Sequence, residues 1–411
     1  MPQPPDLCEG HHVIAPPKGV PVWEIDPYAP DILVNPEPYY TALRGQGAFA
    51  YIPAYSILTC GGFAVTQEVF SDHSRFVSAR GVGLQDFKLG TAWRPPSIIL
   101  EADPPDHTKT RRVMMRAMSP RAVAELRAGL QDAADRLIDR LLTQGPFDAV
   151  ADLAEPFATD VFPRAVGMQH TDSRRLVDYG AMVFNALGPD NAQRRAALAK
   201  GPDIVPYITR SCARARLNEG GFGATIYAAA DAGEISPDEA GMLVRSLLSA
   251  GIDTTVTALG SALWCLARNP AQFDLLRADP TLAKAAFDEV LRFTSPVHSF
   301  CRTAAIATQV AGVEIAEGTK ILCSLGAANL DPERWHHADQ FDITRRPVGH
   351  LAFGAGIHVC VGQNVARAEL EAVLTALAQQ VGRIELINAP VWRPNNAIHA
   401  LDHMMIRLHR A

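Results

Sequence analysis

The stretch Phe353-Gly354-Ala355-Gly356-Ile357-His358-Val359-Cys360-Val361-Gly362 constrains this chain more than any other. It sets a single cysteine in a glycine-rich loop that runs straight into a helix. From Val361 the apolar residues Val365, Ala368, Leu370, Val373, Leu374, Leu377 and Val381 recur at near-helical spacing, and Gly382 is expected to stop the helix. Cys360 therefore falls at a helix N-terminus, where the dipole and free backbone N–H groups favour a thiolate. The glycines leave room for a large flat group against the backbone.

A structural zinc site would need further cysteine or histidine ligands at close spacing, and none lie near Cys360. No C-x-x-C or C-x-x-C-H is present either. A haem iron needs only one cysteine, whose donation favours O–O bond cleavage. The plainer reading of a lone cysteine is a buried structural thiol in a turn. Against it, the segment resembles the haem-binding signature of the cytochrome P-450 family, F-G-x-G-x-H-x-C-x-G, at every fixed position. The resemblance implies haem b as cofactor, Cys360 as the iron ligand and monooxygenase chemistry. It also implies a mainly α fold with a smaller β-rich portion, the haem lying between a long central helix and the cysteine loop.

With 411 residues the chain can bury a large core. Its net charge of −6 argues against a nucleic-acid binder. The seven cysteines (8, 60, 212, 265, 301, 323 and 360) lack framework spacing, which fits reduced thiols in a cytoplasm. Met1 to Pro17 is proline-rich, without the basic and apolar regions of a signal peptide. No apolar run reaches the ~18 residues of a membrane span. The chain is read as a soluble cytoplasmic monomer.

Residues 1–35 are expected to form an extended arm and 36–411 a single haem domain. Pro36 to Gln46 reads as a short helix. Tyr51 to Gly61 and Gly62 to Thr66 read as a strand pair turning at Gly61-Gly62. Arg80 to Pro105 is a long glycine- and proline-punctuated loop, a kind that is often functional. The pattern is then mostly helical to about residue 293, and short strands, the cysteine loop and a last long helix follow.

Asp103-Pro104-Pro105 opens a helix that puts His107 and Arg111 on one face, four residues apart. Alone this could be a solvated face. The resemblance implies that both bind haem propionates, with Arg302 and His358 as further propionate ligands. Ser236-Pro237-Asp238-Glu239 starts the central helix with a capping box, and Asn269-Pro270 ends it. Its ~33 residues would span roughly 50 Å. In the middle, Ala250-Gly251-Ile252-Asp253-Thr254-Thr255 holds poor helix formers whose side chains can bond preceding carbonyls. This could be tolerated core polarity. It also matches the family's A-G-x-D-T motif, which implies that Thr254 contacts the oxygen being activated and Asp253 relays protons. Glu289 and Arg292 read as an i, i+3 pair, and the resemblance adds Arg345 as a third, structural member. Asn329-Leu330-Asp331-Pro332 also matches the family pattern.

The substrate is read from residues expected over the haem. Ser246, Ser249, Ala250, Asp253 and Thr254 share one face of the central helix, and Arg245 adjoins them. The long loop adds Arg94 and Ser97 beside an apolar wall. Phe184, Leu187, Val297 and Phe300 are apolar or aromatic and suit a flat ring. Charge-assisted bonds from Arg94 with Ser97 and Ser246 could hold a carboxylate. The set resembles the bacterial para-substituted-benzoate monooxygenases, which implies a small aromatic acid such as 4-methoxybenzoate, hydroxylated or O-demethylated with O2 and two electrons. In the plainer reading Arg94 is a surface or propionate-side residue and the serines pack helices. The same chemistry on a terpene, macrolide or fatty acid, a peroxygenase, and a haem sensor or carrier are the alternatives. No G-x-G-x-x-G opens a helix after a strand, so electrons are expected from an iron–sulfur ferredoxin with its reductase. Arg111, Arg112, Arg116, Arg345, Arg346 and Arg367 are expected to steer that partner.

Overall fold

The computed structural model describes residues 13–411. Helices dominate between residues 106 and 294, and the strands gather near the two ends of the chain. The central helix runs as two rods, Pro237–Ala250 and Asp253–Arg268, that meet at Gly251 and Ile252. Its start is the expected capping box, with Ser236 and Glu239 each accepting from the other's backbone N–H. Every residue from Thr255 to Leu266 is buried, so the second rod is hydrophobic all round, as a helix through a core must be. The Pro237–Arg268 segment is long and apolar enough to cross a membrane by length and composition, yet 72% of its most apolar window is buried inside the protein.

The cysteine helix, Gln363–Gln380, lies against the long Pro120–Leu142 helix and the Ala283–Thr294 helix. It stops at Gln380, and the expected stop residue Gly382 lies instead in the strand Val381–Leu386, which pairs antiparallel with Met405–Arg410. A Cβ at Gly382 would sit 2.9 Å from the Arg410 carbonyl oxygen, so this glycine serves strand packing.

A five-stranded sheet forms the β-rich portion, in the order Ala50–Ile52, Ile57–Cys60, Lys320–Ser324, Ser299–Ala304, Phe76–Val77. The expected strand pair is corrected here. Its turn is at Pro53–Tyr55 with Ser56 left-handed (φ 49°), not at Gly61-Gly62. Residues 63–66 open the helix Phe63–Ser71, because the Asp331 carboxylate accepts from Phe63 N–H at 2.7 Å and satisfies that terminus. A partner 268 residues away leaves no local sequence signal. Of the expected arm, residues 1–12 lie outside the described residues. The remainder packs down: Val20, Tyr28 and Leu33 are buried, Pro30–Val34 makes one helical turn, and Trp23 stacks on Tyr39 at 5.4 Å.

The cysteine loop is reached through a buried ionic knot. Glu289 and Arg292 are fully buried and doubly bonded, both contacts at 2.8 Å. Arg292 also donates to the carbonyls of Asn329, Ala338 and Gln340. Arg345 joins at 3.1 Å to Glu289 and donates to the carbonyls of His336, His337 and Gln340. Asn329 then accepts from Leu351 N–H at 2.7 Å, two residues before the loop begins. Each guanidinium thus ties a helix to the irregular 329–351 segment. Glu289→Ala leaves two guanidinium groups without their acid. The expected loss is ~3–5 kcal/mol of folding stability, read from urea denaturation.

Candidate active site

A cavity lies between the bend of the central helix and the cysteine loop, with about 1660 Å3 of space unfilled by protein atoms, its open mouth included. Cys360 faces it from one side, and Ala250, Gly251 and Thr254 from the other. The bend is built as its residue types suggest. Thr254 Oγ1 donates to the Ala250 carbonyl at 2.5 Å and Thr255 Oγ1 to the Gly251 carbonyl at 3.0 Å. Gly251 is obligatory, since a Cβ there would lie 2.3 Å from the Phe162 ring.

Cys360 N–H donates to the Phe353 carbonyl at 2.8 Å, which closes the loop. Burial pushes its thiol above the ordinary value. The N–H groups of Gly362 and Gln363 and the guanidinium groups of Arg111 and Arg367 oppose this without overcoming it. The helix N-terminus alone therefore does not make the thiolate that the sequence led us to expect. A coordinated metal ion deprotonates a thiol outright.

The cations around the cavity ask for an anion. Arg302 is 2% exposed, lies over the Phe70 ring at 4.1 Å, and among the described residues donates only to the Cys301 carbonyl, at 2.9 Å. Among the described residues neither Arg302 nor Arg111 has an ion-pair partner, and burial lowers the pKa of both. His358 lies 3.5 Å from Asp103 and 4.4 Å, ring to ring, from His107. His107 is not among the cavity-lining residues and stands behind His358, which is. Its buried Nε2 has no partner, and burial holds its pKa down at about 4. A buried guanidinium without a counter-charge is costly, so a cofactor carrying carboxylates fits this donor set.

The substrate-side expectations divide. Arg94, Ser97, Phe184, Leu187, Ser246, Ser249, Ala250, Val297 and Phe300 all line the cavity. Ser97 Oγ and Ser246 Oγ approach to 3.4 Å. Arg245 does not line it. It sits behind the wall and donates to the Pro95 carbonyl at 3.1 Å. Arg94 is not a free cation, since Glu101 lies 3.3 Å away and also accepts from Ser97 N–H at 2.7 Å. Asp253 is also corrected. It is 1% exposed, faces away from the cavity, and pairs with Arg393 at 3.2 Å. Burial raises its pKa against the pull of Arg393. The strand holding Arg393 is 140 residues downstream, with nothing local to announce it.

Glu369 went unread. It lines the cavity, its carboxyl is hydrogen-bonded to Thr255 Oγ1 at 3.1 Å, and burial raises its pKa to about 8. An acid on the apolar face of the cysteine helix, one residue after Ala368, was the available signal. Of the basic residues expected to steer a partner, Arg116, Arg345 and Arg367 are ion-paired with Glu234, Glu289 and Asp288. Arg112 and Arg346 are exposed, with no ion pair among the described residues.

A mostly helical fold with a one-cysteine loop facing a bent central helix defines a haem-thiolate enzyme. The Cytochrome P450 family profile matches residues 222–380. Cytochrome p450 CYP199A2 of Rhodopseudomonas palustris is 47% identical over 391 residues, covering 95% of each chain. The beta-dihydromenaquinone-9 omega-hydroxylase of Mycobacterium tuberculosis is 30% identical over 93% of this chain and 78% of its own. Cytochrome P450 CYP109Q5 from Chondromyces apiculatus superposes with a TM-score of 0.79 at 28% identity, covering 94% of this chain and 99% of that one. The chain belongs to the cytochrome P450 family. It is a monooxygenase, and its cofactor is haem b.

Glu369 gives a signed test. Its carboxyl ionises near 4.5 when unfolded and near 8 when folded. Between those values the folded chain holds the extra proton, so stability falls as pH rises. Glu369→Gln is expected to flatten that slope between pH 5 and 8, read from urea midpoints across the range.

Proposed function

We propose that this monooxygenase oxidises a small aromatic carboxylic acid with a para methyl or methoxy group, such as 4-methoxybenzoate. The observation that carries the reading is the cavity's polarity. One end gathers Arg94, Ser97 and Ser246, the walls are Ile99, Leu100, Phe184, Leu187, Val297 and Phe300, and Thr254 and Cys360 stand at the far end. Arg94 and Arg245 against Glu101 leave that polar end one positive charge in excess. From Ser246 to Thr254 the helix rises ~12 Å, the reach of a benzoate bound by its acid and presenting its para substituent.

In this reading Cys360 would ligate the haem iron, and Arg111, Arg302, His358 and His107 would hold its propionates. The bound haem supplies oxygen activation and insertion into a C–H bond. The chain's own groups orient and deliver. Arg94, Ser97 and Ser246 fix the acid, and the aromatic walls hold one substituent in place, which turns positioning into selectivity. Thr254 presents a hydroxyl at the bend. Asp253 stands behind it, paired with Arg393 and with its pKa raised by burial, and Glu369 holds a proton at pH 7 inside the cavity. A hydroxylated methoxy carbon then collapses to phenol and formaldehyde.

Electrons come singly from a small iron–sulfur ferredoxin with its reductase, an acidic partner for which Arg112 and Arg346 are the uncommitted charges. The pairing of Arg94 with Glu101 favours a second reading, in which that charge is already satisfied and a neutral apolar substrate fills the cavity. Ligand-induced change of the haem spectrum decides between them. 4-Methoxybenzoate is expected to shift the spectrum, and its methyl ester to bind far more weakly. Equal response to acid and ester overturns the acid reading. Arg94→Ala is expected to weaken acid binding by ~1.5–3 kcal/mol, the range for a charge-assisted bond, with the ester unaffected.

A further inference from the structure

Lys320 opens a strand of the five-stranded sheet and is 2% exposed. An ammonium has three donors. Here all three go to backbone carbonyls of one loop: Arg80 at 3.0 Å, Gly81 at 2.9 Å and Gln85 at 2.9 Å. No carboxylate lies within ion-pair distance of it among the described residues. Asp86 and Glu101 offset its charge from further off, against Arg80 and with Cys301 also facing it. Burial lowers its pKa to about 8, which leaves it mostly protonated at pH 7.

The loop is shaped to meet this cation. Gly81 is left-handed (φ +92°), which turns successive carbonyls inward. Arg80 and Asp86 close the turn as a buried ion pair. The opposite side of the turn is docked on the cavity wall. Cys301 N–H donates to the Val82 carbonyl at 2.7 Å, and Leu84 N–H to the Leu187 carbonyl at 2.9 Å. Gly83 lies so close that a Cβ there would be 2.5 Å from the Leu187 oxygen. Leu187 is itself a cavity wall. The order runs on, because the Asp86 carbonyl accepts from Leu89 and Gly90 and the Gln85 amide donates to the Thr91 carbonyl at 2.7 Å. Three residues later comes Arg94.

We propose that Lys320 is a positioning residue for the substrate end of the cavity: as an internal cation it gathers the 80–86 loop and so sets Leu187, Arg94 and Ser97. Without the ammonium the Gly81 and Gln85 carbonyls lose the donor they have among the described residues, and the Arg80 carbonyl keeps Phe87 N–H at 3.2 Å; burial of unpaired carbonyls is unfavourable. The loop opens to water there, while among the described residues Lys320 makes no bond to the ionic knot around Glu289 or to the cysteine loop. The effect on ligand binding rests on the acid reading above, and the effect on the loop does not.

The test uses the haem-loaded full chain. In Lys320→Met, the amides of Leu84, Phe87, Leu89 and Gly90 are expected to exchange hydrogen at least tenfold faster. The dissociation constant for 4-methoxybenzoate is expected to rise at least tenfold, with the carbon monoxide spectrum of the reduced protein unchanged. In Lys320→Ala, millimolar ethylammonium is expected to restore slow exchange and binding. Tetramethylammonium, which has no N–H donor, is expected not to. Wild-type exchange rates in Lys320→Met, failure of that variant to hold haem, or equal rescue by tetramethylammonium overturns the proposal. If exchange responds as expected but the wild type ignores 4-methoxybenzoate, the role of Lys320 in the loop stands and the acid reading falls.

Discussion

Desolvated positive charge organises this site. Arg302 and Arg111 are held at the cavity without protein carboxylates, and the cost of burying a cation is met only when an anion arrives. The same logic governs Cys360, whose thiol burial keeps protonated until a metal takes the proton's place. The polypeptide is therefore incomplete electrostatically on both sides of the cavity. A group carrying a metal ion at its centre and carboxylates at its rim corrects both defects at once.

What makes such a site tolerable is that its neighbours are fully satisfied. Glu289 accepts from Arg292, Arg345 and the Asp342 N–H. Asp331 and Asn329 cap distant backbone in the same region. These bonds fix the irregular 329–351 segment that delivers the cysteine loop, so the strain of holding uncompensated charge is not relieved by the loop moving. The bend at Gly251 is a comparable device. Two threonine hydroxyls bond the carbonyls of Ala250 and Gly251, and the helix opens where Phe162 allows no side chain.

What was legible in the sequence follows from range. The cysteine loop, the capping box and the helix bend are local patterns, and each appears where its residues place it. The face running from Ser246 to Thr254 follows helical spacing, and all of it but Asp253 meets the cavity. Asp253 failed because its direction is set by Arg393, from a strand 140 residues on. The turn at Gly61-Gly62 failed for the same kind of reason, since Asp331 converts an alternating run into a helix start. Glu101 and Lys320 were invisible because their partners are loop atoms, whose positions no periodicity encodes.

In the proposed reading, the polar end of the cavity selects a charged ligand although its own charges are paired. Glu101 holds Arg94 at 3.3 Å, beyond an ideal bidentate contact, and Arg94 Nε remains buried without a partner. Arg245 stands behind the wall and adds its field without adding a donor to the cavity. A carboxylate placed there would accept from Ser97 Oγ, which lies 3.4 Å from Ser246 Oγ while Ser246 donates to the Met242 carbonyl, in a field whose sum is positive. Recognition by completing an unfinished hydrogen-bond set is more selective than attraction to an open charge, because the penalty for the wrong ligand is an unpaired buried group.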